Sequence, residues 1–410
     1  MPLTKPDPVI SVPPSARALP ADASGVVALD PTSTSNGRPG GHTDMPIDAV
    51  RHMAVPGTEE ALTSRLLQST IHALELYGVY LGKELGLYAA LTSGRALAPS
   101  ELAREAGIAP RYAREWLEQQ AVAGFLIVDK PSAPADERRY RLPVEHVNVL
   151  VTEDHPAHLA PLAHMVAGIG GAMDHVLAAY RHGGGVAYPK FGAAFRKGQA
   201  GINRPAFVSD LVERWIPAAA DVHERLLSSS LRVADVGCGA GWSTIAIARA
   251  FPRADVIGFD ADEASMADAR ENAAAQQVAV RFEVCDAVAI ADHGPFDLIL
   301  VLEALHDMAR PADVLRSLRQ TLAPGGSVLV ADEKVADHFH APGDEIERLM
   351  YGWSIVHCLP VSLAESPSAA IGTVIRIEAI RELAGAAGFA RVDVLPVNAG
   401  FFRLYRLSPP

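Results

Sequence analysis

The C-terminal half of the chain contains a glycine-rich stretch whose spacing could bind a nucleoside-containing ligand. Residues 233–242 read VADVGCGAGW, so that Asp235 is followed by Gly237, Gly239 and Gly241 at intervals of two. Glycine adopts backbone conformations that other residues rarely reach, and such a loop can turn tightly and expose its N–H and C=O groups. The dinucleotide fingerprint GxGxxG needs a glycine at the position that Trp242 occupies. The spacing therefore favours a ligand with an amino-acid end over a diphosphate.

Acidic residues recur where the following strands are predicted to end. Asp260 closes VIGFD, Asp286 and Ala287 lie in VCDA, and Glu303 lies in VLEALHDM. The carboxyl ends of parallel strands border the crevice in which such sheets bind ligands. Asp260 is positioned there to accept from both hydroxyls of a ribose, and Asp286 to accept from an exocyclic adenine amine. Each acid alone also fits a helix cap or a solvated turn, but the recurrence after the glycine loop favours binding.

Strands alternate with helices after Leu231 and must position these residues. The strand-like segments are LRVADVG, ADVIGFD, VAVRFEV, FDLILVL, SVLVADE, RVDVLPV and FFRLYRL. This alternation predicts a doubly wound, mostly parallel sheet over residues 229–410. Only NAG separates the last two strands, which is too short for a crossover, so the last strand must run antiparallel to its predecessor. The predicted fold class is α/β, with a seven-stranded Rossmann-like sheet.

The residues before this sheet predict a winged helix-turn-helix domain at 58–148. Helical periodicity begins at EEALTSRLLQ, a second helix is expected in LAPSELAREAG with Ser100 as its N-cap, and a third runs from Pro110 to Gly124. FLIVDK and RRYRLP then form two strands. Residues 59–150 carry ten Lys plus Arg and twelve Asp plus Glu, and this balance argues against DNA binding, which depends on neutralising phosphates. We expect the domain to pack or to pair two chains as a homodimer.

Two further segments complete the predicted organisation. Residues 1–57 are rich in Pro, Ser and Gly and are expected to form a disordered leader. Residues 149–228 form a helical connector, interrupted by RHGGGVAYPKFG, whose Tyr188 is a candidate lid residue over a ligand. No Gly-Lys-Ser/Thr follows these glycines, which argues against a phosphate-binding loop.

Composition limits the classes of function. The formal net charge of −12 disfavours nucleic acid and anionic membranes as partners of the whole chain. The three cysteines, Cys238, Cys285 and Cys358, have no CxxC spacing, so neither a disulfide framework nor a zinc knuckle is indicated. The N-terminus lacks the pattern of a secretion signal, and no uninterrupted apolar run reaches the length of a membrane span. We expect a cytoplasmic protein.

Residues 231–335 resemble class I S-adenosylmethionine-dependent methyltransferases. In this resemblance ADVGCGAG corresponds to the glycine motif, GFD to the ribose acid and CDA to the adenine contact. Residues 60–408 are similar to an actinobacterial group of methyltransferases with an N-terminal winged helix, on the strength of GGGVAYPKFG, LMYGWSIVHCLP and the final FFRLYRL. The resemblance implies S-adenosylmethionine as cofactor and Asp235, the three glycines, Asp260, Asp286, Ala287 and Glu303 as its binding residues.

The resemblance also implies candidate catalytic residues. ALHDM resembles the His-Asp pair that follows the fourth strand of plant-type small-molecule O-methyltransferases, where the histidine is a general base. Carried onto this chain, His306 is the base, and Glu333 in VADEKV is the acid that flanks it. The residues after HDM depart from the plant pattern, and a histidine that only orders the strand-end loop is the competing interpretation.

Polar residues of ERLMYGWSIVHCLP are candidates for the wall of a substrate pocket. Tyr351, Ser354 and His357 lie near one stripe of a predicted helix, although a buried helix with satisfied polar groups fits equally well. Asp337, His338 and His340 in DHFH form too weak a pattern for a metal site, and we expect no metal.

Together these features predict a methyltransferase that acts on a small molecule, in the manner of secondary-metabolism enzymes. O-methylation is favoured by resemblance, and nitrogen or carbon acceptors stay open. Two other classes are weighed: a ligand-sensing transcription regulator, which the charge of the winged helix opposes, and a nicotinamide-dependent oxidoreductase, which Trp242 opposes.

Overall fold

The computed structural model describes residues 57–410, so the prediction of a disordered leader at 1–57 lies, except for Gly57, outside the described residues. The described chain forms a winged helix, a helical connector and a seven-stranded sheet domain.

The N-terminal part has the predicted helices and two-stranded wing. Its elements are α1 Glu59–Glu84, α2 Leu87–Ala90, α3 Pro99–Ala106, α4 Pro110–Val122, β1 Ile127–Asp129, β2 Arg139–Arg141 and α5 Val144–Leu150. The predicted cap of α3 is wrong: Ala98 is the N-cap and Ser100 lies inside the first turn, because Pro99 starts the helix. Glu101 accepts a hydrogen bond from the Ala98 N–H at 2.8 Å and stabilises this start.

Ion pairs engage the arginines of the winged helix. Arg114 pairs with Asp136 at 3.1 Å and Arg138 with Glu118 at 2.9 Å, and Arg111 also contacts Glu115. These carboxylates offset the charges of Arg111, Arg114 and Arg138.

Long helices connect the winged helix to the sheet. They are α6 Pro161–His182, α7 Gly192–Pro205 and α8 Ala220–Ser228, with a 3₁₀ turn at Tyr188–Phe191 and a π-helix at Ala206–Trp215. Among the described helices, α6 is long and apolar enough to cross a membrane, with a mean hydropathy of 1.2, and 39% of that window is buried. Core helices of soluble proteins pass the same test, and α6 packs against α1 and α7.

The sheet domain confirms the predicted topology. Its strands are β3 Arg232–Val236, β4 Asp255–Asp260, β5 Arg281–Val284, β6 Phe296–Leu302, β7 Leu322–Glu333, β8 Arg391–Val394 and β9 Phe402–Ser408. Their order is β5-β4-β3-β6-β7-β9-β8, and β9 runs antiparallel to both of its neighbours. Since the chain winds outward from β3 to β5 and returns to β6, the order reverses between β3 and β6, where doubly wound sheets bind ligands.

Helices cover both faces of the sheet: α9 Trp242–Ala250, α10 Glu263–Ala275, α11 Pro311–Gln320 and α14 Ile377–Ala386. Between β7 and α14 lie α12 Glu345–Trp353, a π-helix at Ser354–Cys358 and α13 Leu359–Ser362, and this segment packs against the connector. The strands carry near-continuous apolar runs, as expected for a sheet buried on both faces, and Val233, Ile299 and Val330 are fully buried. This core fixes the strand ends that carry the predicted site.

Candidate functional site

A cavity of about 440 Å³ opens at the carboxyl ends of the parallel strands. One wall is formed by the loops after β3, β4, β5 and β6, and the opposite wall by the connector and the end of α13. The sheet and the connector thus enclose one space, of a size typical for small-molecule sites.

The glycine loop forms the floor of this cavity, and different physical constraints require glycine at its three positions. All three adopt positive φ angles. A Cβ on Gly237 would lie 2.7 Å from Ala304 Cβ, and one on Gly241 would lie 2.7 Å from the Phe282 ring, so both positions exclude side chains. Gly239, with φ +52°, has no atom within 4 Å of its would-be Cβ and lines the cavity. Its missing side chain leaves backbone open to a ligand.

Asp260 lies beside this loop at the end of β4. Its two carboxylate oxygens accept from the Gly239 and Asp262 N–H groups, both at 2.9 Å. Burial raises the pKa of this carboxyl group, although the backbone donors oppose the effect. The side chain is held at the cavity wall by these two hydrogen bonds, and the ribose-binding role of this acid stays a prediction from the sequence.

The predicted adenine contacts also line the cavity. Asp286 caps the 3₁₀ turn Ala287–His293, because its Oδ1 accepts from the Val288 N–H at 2.9 Å. Asp286 thus acts as a helix cap, which was the alternative interpretation of this acid in the sequence. Its other oxygen, Oδ2, lies 4.0 Å from Arg310. Ala287 and Val288 give this end of the cavity an apolar surface.

Asp235 and Gly241 do not belong to the lining of the cavity. Asp235 is buried and accepts from Ser243 Oγ at 2.5 Å and from Thr244 Oγ1 at 2.6 Å, and burial raises its pKa to about 6. It fixes the first turn of α9 to the end of β3, so the structure gives it a positioning role behind the glycine loop.

Glu303 follows β6 and faces the cavity in a strained backbone conformation. Its φ is +54°, a value that residues other than glycine rarely adopt and that often accompanies function. Asn203 of α7 donates a hydrogen bond to Glu303 Oε2, and burial raises the pKa of this carboxyl group to about 7.

His306 lies in a buried cluster of carboxylates. Its Nδ1 is 2.7 Å from Asp332 Oδ1 and 3.4 Å from Glu333 Oε2, while Nε2 is 3.4 Å from Asp307 Oδ1. Burial alone would lower the pKa of His306, but Asp332, Glu333 and Asp307 raise it well above its usual value. Burial raises the pKa of Glu333, whereas His306 holds that of Asp332 below its ordinary value. We interpret this as an imidazolium paired with Asp332, beside a protonated Glu333.

His306 does not reach the cavity. Its side chain is 2% exposed and lies outside the lining, whereas the neighbouring Asp307 lines the cavity. Asp307 Oδ1 is buried without a hydrogen-bond partner, and burial raises the pKa of this carboxyl group. Asp307 is therefore the group of this cluster that a ligand can touch.

The candidate pocket residues separate into two places. Tyr188 lines the cavity and donates a hydrogen bond to Gln199 Oε1 at 2.9 Å. Tyr351, Ser354 and His357 lie outside the lining. The His357 ring stacks on Phe195 at 3.9 Å between centroids, and burial lowers its pKa to about 3, so it is a neutral packing group.

Several lining residues come from α7 and were not anticipated from the sequence. Arg196, Gln199 and Asn203 project from successive turns of this helix. On the next position, Arg204 lies 4.0 Å over the Trp242 ring and also forms ion pairs with Glu153 and Asp154, both near 2.6 Å. The helical spacing of these polar residues is visible in the sequence, but no motif indicates that this face of α7 lines a cavity.

Comparisons with known proteins agree with this architecture. Residues 227–359 match a family model described as a methyltransferase domain, and residues 73–152 match the Rv2258c-like winged HTH domain.

Two curated relatives illustrate the similarity in sequence. A trans-aconitate 2-methyltransferase of Methylobacterium nodulans is 31% identical over 140 residues, which are 34% of this chain and 52% of that protein. A ubiquinone biosynthesis O-methyltransferase of Roseobacter denitrificans is 38% identical over 97 residues, 23% of this chain and 38% of that protein. The chain thus spans about half the length, or less, of these relatives.

Structural similarity extends further along the chain. Human N-acetylserotonin methyltransferase, solved in complex with SAM, superposes with a TM-score of 0.60 at 16% identity, over 87% of this chain and 99% of that one. At this identity the likeness concerns the fold, and it includes the helical N-terminal part. The two matched domains and the sheet topology agree with the resemblance found in the sequence: the chain contains a methyltransferase domain with the class I fold, preceded by an Rv2258c-like winged helix.

Proposed function

We propose that the protein transfers a methyl group from S-adenosylmethionine to a hydroxyl group of a small molecule. The observation that carries the proposal is that the open glycine loop and Asp260 share one cavity with Asp307, the accessible member of the His306 cluster. A methyl donor and a proton acceptor can therefore serve the same enclosed molecule.

The residues on the sheet side of the cavity fit this cofactor. Gly239 offers backbone at the floor, Asp260 offers a fixed carboxylate for ribose hydroxyls, and Asp286 with Ala287 borders the adenine end. We assign Glu303, which also lines the cavity, to the positively charged amino group of the cofactor's amino-acid end. When bound, the cofactor supplies an electrophilic methyl group for in-line displacement.

The protein's own contribution is to orient the acceptor and to remove its proton. We propose that Asp307 accepts the proton from the acceptor hydroxyl and that His306 acts through it. The imidazolium of His306, held by Asp332, favours the ionised form of Asp307. Glu333 completes this cluster behind His306, outside the lining of the cavity.

Calorimetric titration tests the cofactor assignment. S-adenosylmethionine and S-adenosylhomocysteine are expected to bind with micromolar affinity, and NADH is expected not to bind. Gly239→Arg should abolish binding by filling the cavity floor. Gly325→Arg is the matched control, since Gly325 also has a positive φ and open space but lies outside the cavity. Binding of NADH instead of the methyl donor would refute the proposal.

The position of the methyl group decides between oxygen, nitrogen and carbon acceptors. Acceptor libraries are incubated with the protein and labelled S-adenosylmethionine, and the products are analysed by NMR. A methyl ether is expected. An N-methyl or C-methyl product would be consistent with methyltransferase activity but would overturn the proposal of O-methylation.

We also propose a homodimer formed through the winged-helix side. α1 exposes Leu62, Leu66, Leu67 and Leu74, each about half or more accessible, and α6, which packs against α1, exposes Leu177 and Tyr180. Apolar patches of this extent mark protein interfaces in soluble proteins. Light scattering after size exclusion is expected to give twice the chain mass of 43.4 kDa, and Leu66→Glu with Leu74→Glu should give the monomer. A wild-type monomer would refute the dimer.

A further inference from the structure

The charged side chains that line the cavity are mostly acidic. Among the described lining residues, the cations are Arg196 and Arg310, whereas six acids line the same space. This asymmetry bears on the acceptor, and the inference from it rests on the proposed function.

Both cations are engaged near the nucleoside end. Arg196 Nε donates to Asp268 Oδ2 of α10 at 2.7 Å, and its charge also lies near Asp262, the cap of that helix. Arg310 lies 4.0 Å from Asp286 Oδ2. Each guanidinium therefore already has a carboxylate beside it.

Three further carboxylates and an aromatic surface border the space between the two walls. Glu303 and Asp307 follow β6 on the sheet side, and the exposed Glu365 follows α13 on the opposite wall. Tyr188 and Phe207 provide the apolar part of this wall. Asn203 partners Glu303, and Asp307 Oδ1 lies 3.4 Å from His306 Nε2.

An anionic acceptor would add a further negative charge beside Glu303 and Asp307, and the imidazolium of His306 behind Asp307 is already paired with Asp332. Bringing like charges together in a poorly solvated space is unfavourable, and no free cation in the described wall would compensate it. A neutral hydroxyl compound avoids this cost, and a protonated amine on the acceptor would gain an ion pair with Asp307 or Glu365.

We propose that the acceptor is uncharged or carries a protonated amine, and that molecules bearing carboxylates are excluded from this cavity. The trans-aconitate named for one relative is a tricarboxylate, so this chain is expected to reject it.

Three phenols that share one ring and differ in charge test the proposal: tyramine is a cation, 4-ethylphenol is neutral and 4-hydroxyphenylacetate is an anion. The tricarboxylate trans-aconitate is the fourth ligand. Each is titrated by ligand-observed NMR into the protein saturated with S-adenosylhomocysteine. Tyramine and 4-ethylphenol are expected to bind at least tenfold more tightly than 4-hydroxyphenylacetate, and trans-aconitate is expected not to bind.

The substitution Asp307→Asn removes a negative charge from the cavity wall and keeps nearly the same side-chain shape. This variant should retain S-adenosylhomocysteine binding and narrow the ratio of tyramine to 4-hydroxyphenylacetate affinity severalfold. Asp174→Asn, an exposed change on α6, is the matched control and should leave the ratio unchanged. An unchanged ratio in Asp307→Asn would overturn the proposal.

Other outcomes are equally decisive. Equal binding of the three phenols, tighter binding of the acids, or no binding of any phenol to a formed S-adenosylhomocysteine complex overturns the acceptor class. Failure of S-adenosylhomocysteine itself to bind refutes the proposed function instead, so the two failures are distinguishable.

Discussion

Replacing Glu303 with glutamine is expected to stabilise the protein at alkaline pH while weakening cofactor binding. Glu303 is held in a left-handed backbone conformation and accepts a hydrogen bond from Asn203. A glutamine carbonyl can accept the same hydrogen bond, so the change removes charge with little change in shape.

The magnitude follows from the pKa of this carboxyl group. Burial raises the pKa of Glu303 from the ordinary 4.5 to about 7, so the native state binds more protons than the unfolded state between these values. Stability therefore falls as pH rises through this window and levels off above it. At about 1.4 kcal/mol per pH unit, the cost of ionisation reaches about 3 kcal/mol above pH 7. Glu303→Gln removes this cost, and below pH 4.5 the two proteins should be equally stable.

Thermal unfolding between pH 4.5 and 9 measures the effect. The midpoint of Glu303→Gln is expected to exceed that of the wild type by roughly 5 °C at pH 8 and by little at pH 4.5. Glu365→Gln, at an exposed position of the same cavity, controls for loss of net charge and should show no such pH dependence. S-adenosylhomocysteine should bind the Glu303→Gln protein more weakly. A difference in midpoint independent of pH, or a destabilised variant at pH 8, would refute the reasoning.

Three other predictions concern the site. Asp260→Ala should weaken S-adenosylhomocysteine binding about 10- to 100-fold, because a fixed charged acceptor is lost, with unchanged circular dichroism; unchanged affinity would exclude the ribose role. His306→Gln should lower the rate of methylation about 100-fold and leave cofactor affinity nearly unchanged, and a near-normal rate across the pH profile would exclude a role in proton transfer. EDTA should not reduce methylation, because the proposed proton transfer to Asp307 needs no metal ion; inhibition that is reversed by a metal ion would contradict this.

The sheet and the glycine loop at its carboxyl edge could be predicted because both depend on residues that are close together in the sequence. Buried parallel strands produce apolar runs, and the tight turn after β3 requires glycines whose spacing is visible. Gly237 and Gly241 show this requirement directly, since a Cβ at either position would collide with a neighbouring side chain.

The acceptor side could not be predicted in the same way. Ser354 and His357 align with Tyr351 only if the helix stays α-helical, but the chain widens into a π-helix at Ser354–Cys358 and the stripe no longer faces one direction. Asn203 reaches Glu303 across 100 residues of sequence, and no local spacing records such a contact. The cap of α3 was misplaced for a simpler reason: proline at the first helical position outweighed the capping preference of Ser100.

The contact of Arg204 with Trp242 limits which substitutions and domain exchanges this chain can accept during evolution. A single guanidinium covers the indole beside the glycine loop and also binds Glu153 and Asp154, directly after the segment that matches the winged HTH domain. A winged helix exchanged from a related protein without these acids would leave Arg204 without its partners, next to the wall of the cofactor cavity. Glu153, Asp154, Arg204 and Trp242 should therefore be inherited together, and recombination between homologues is best tolerated where it keeps this group of four intact.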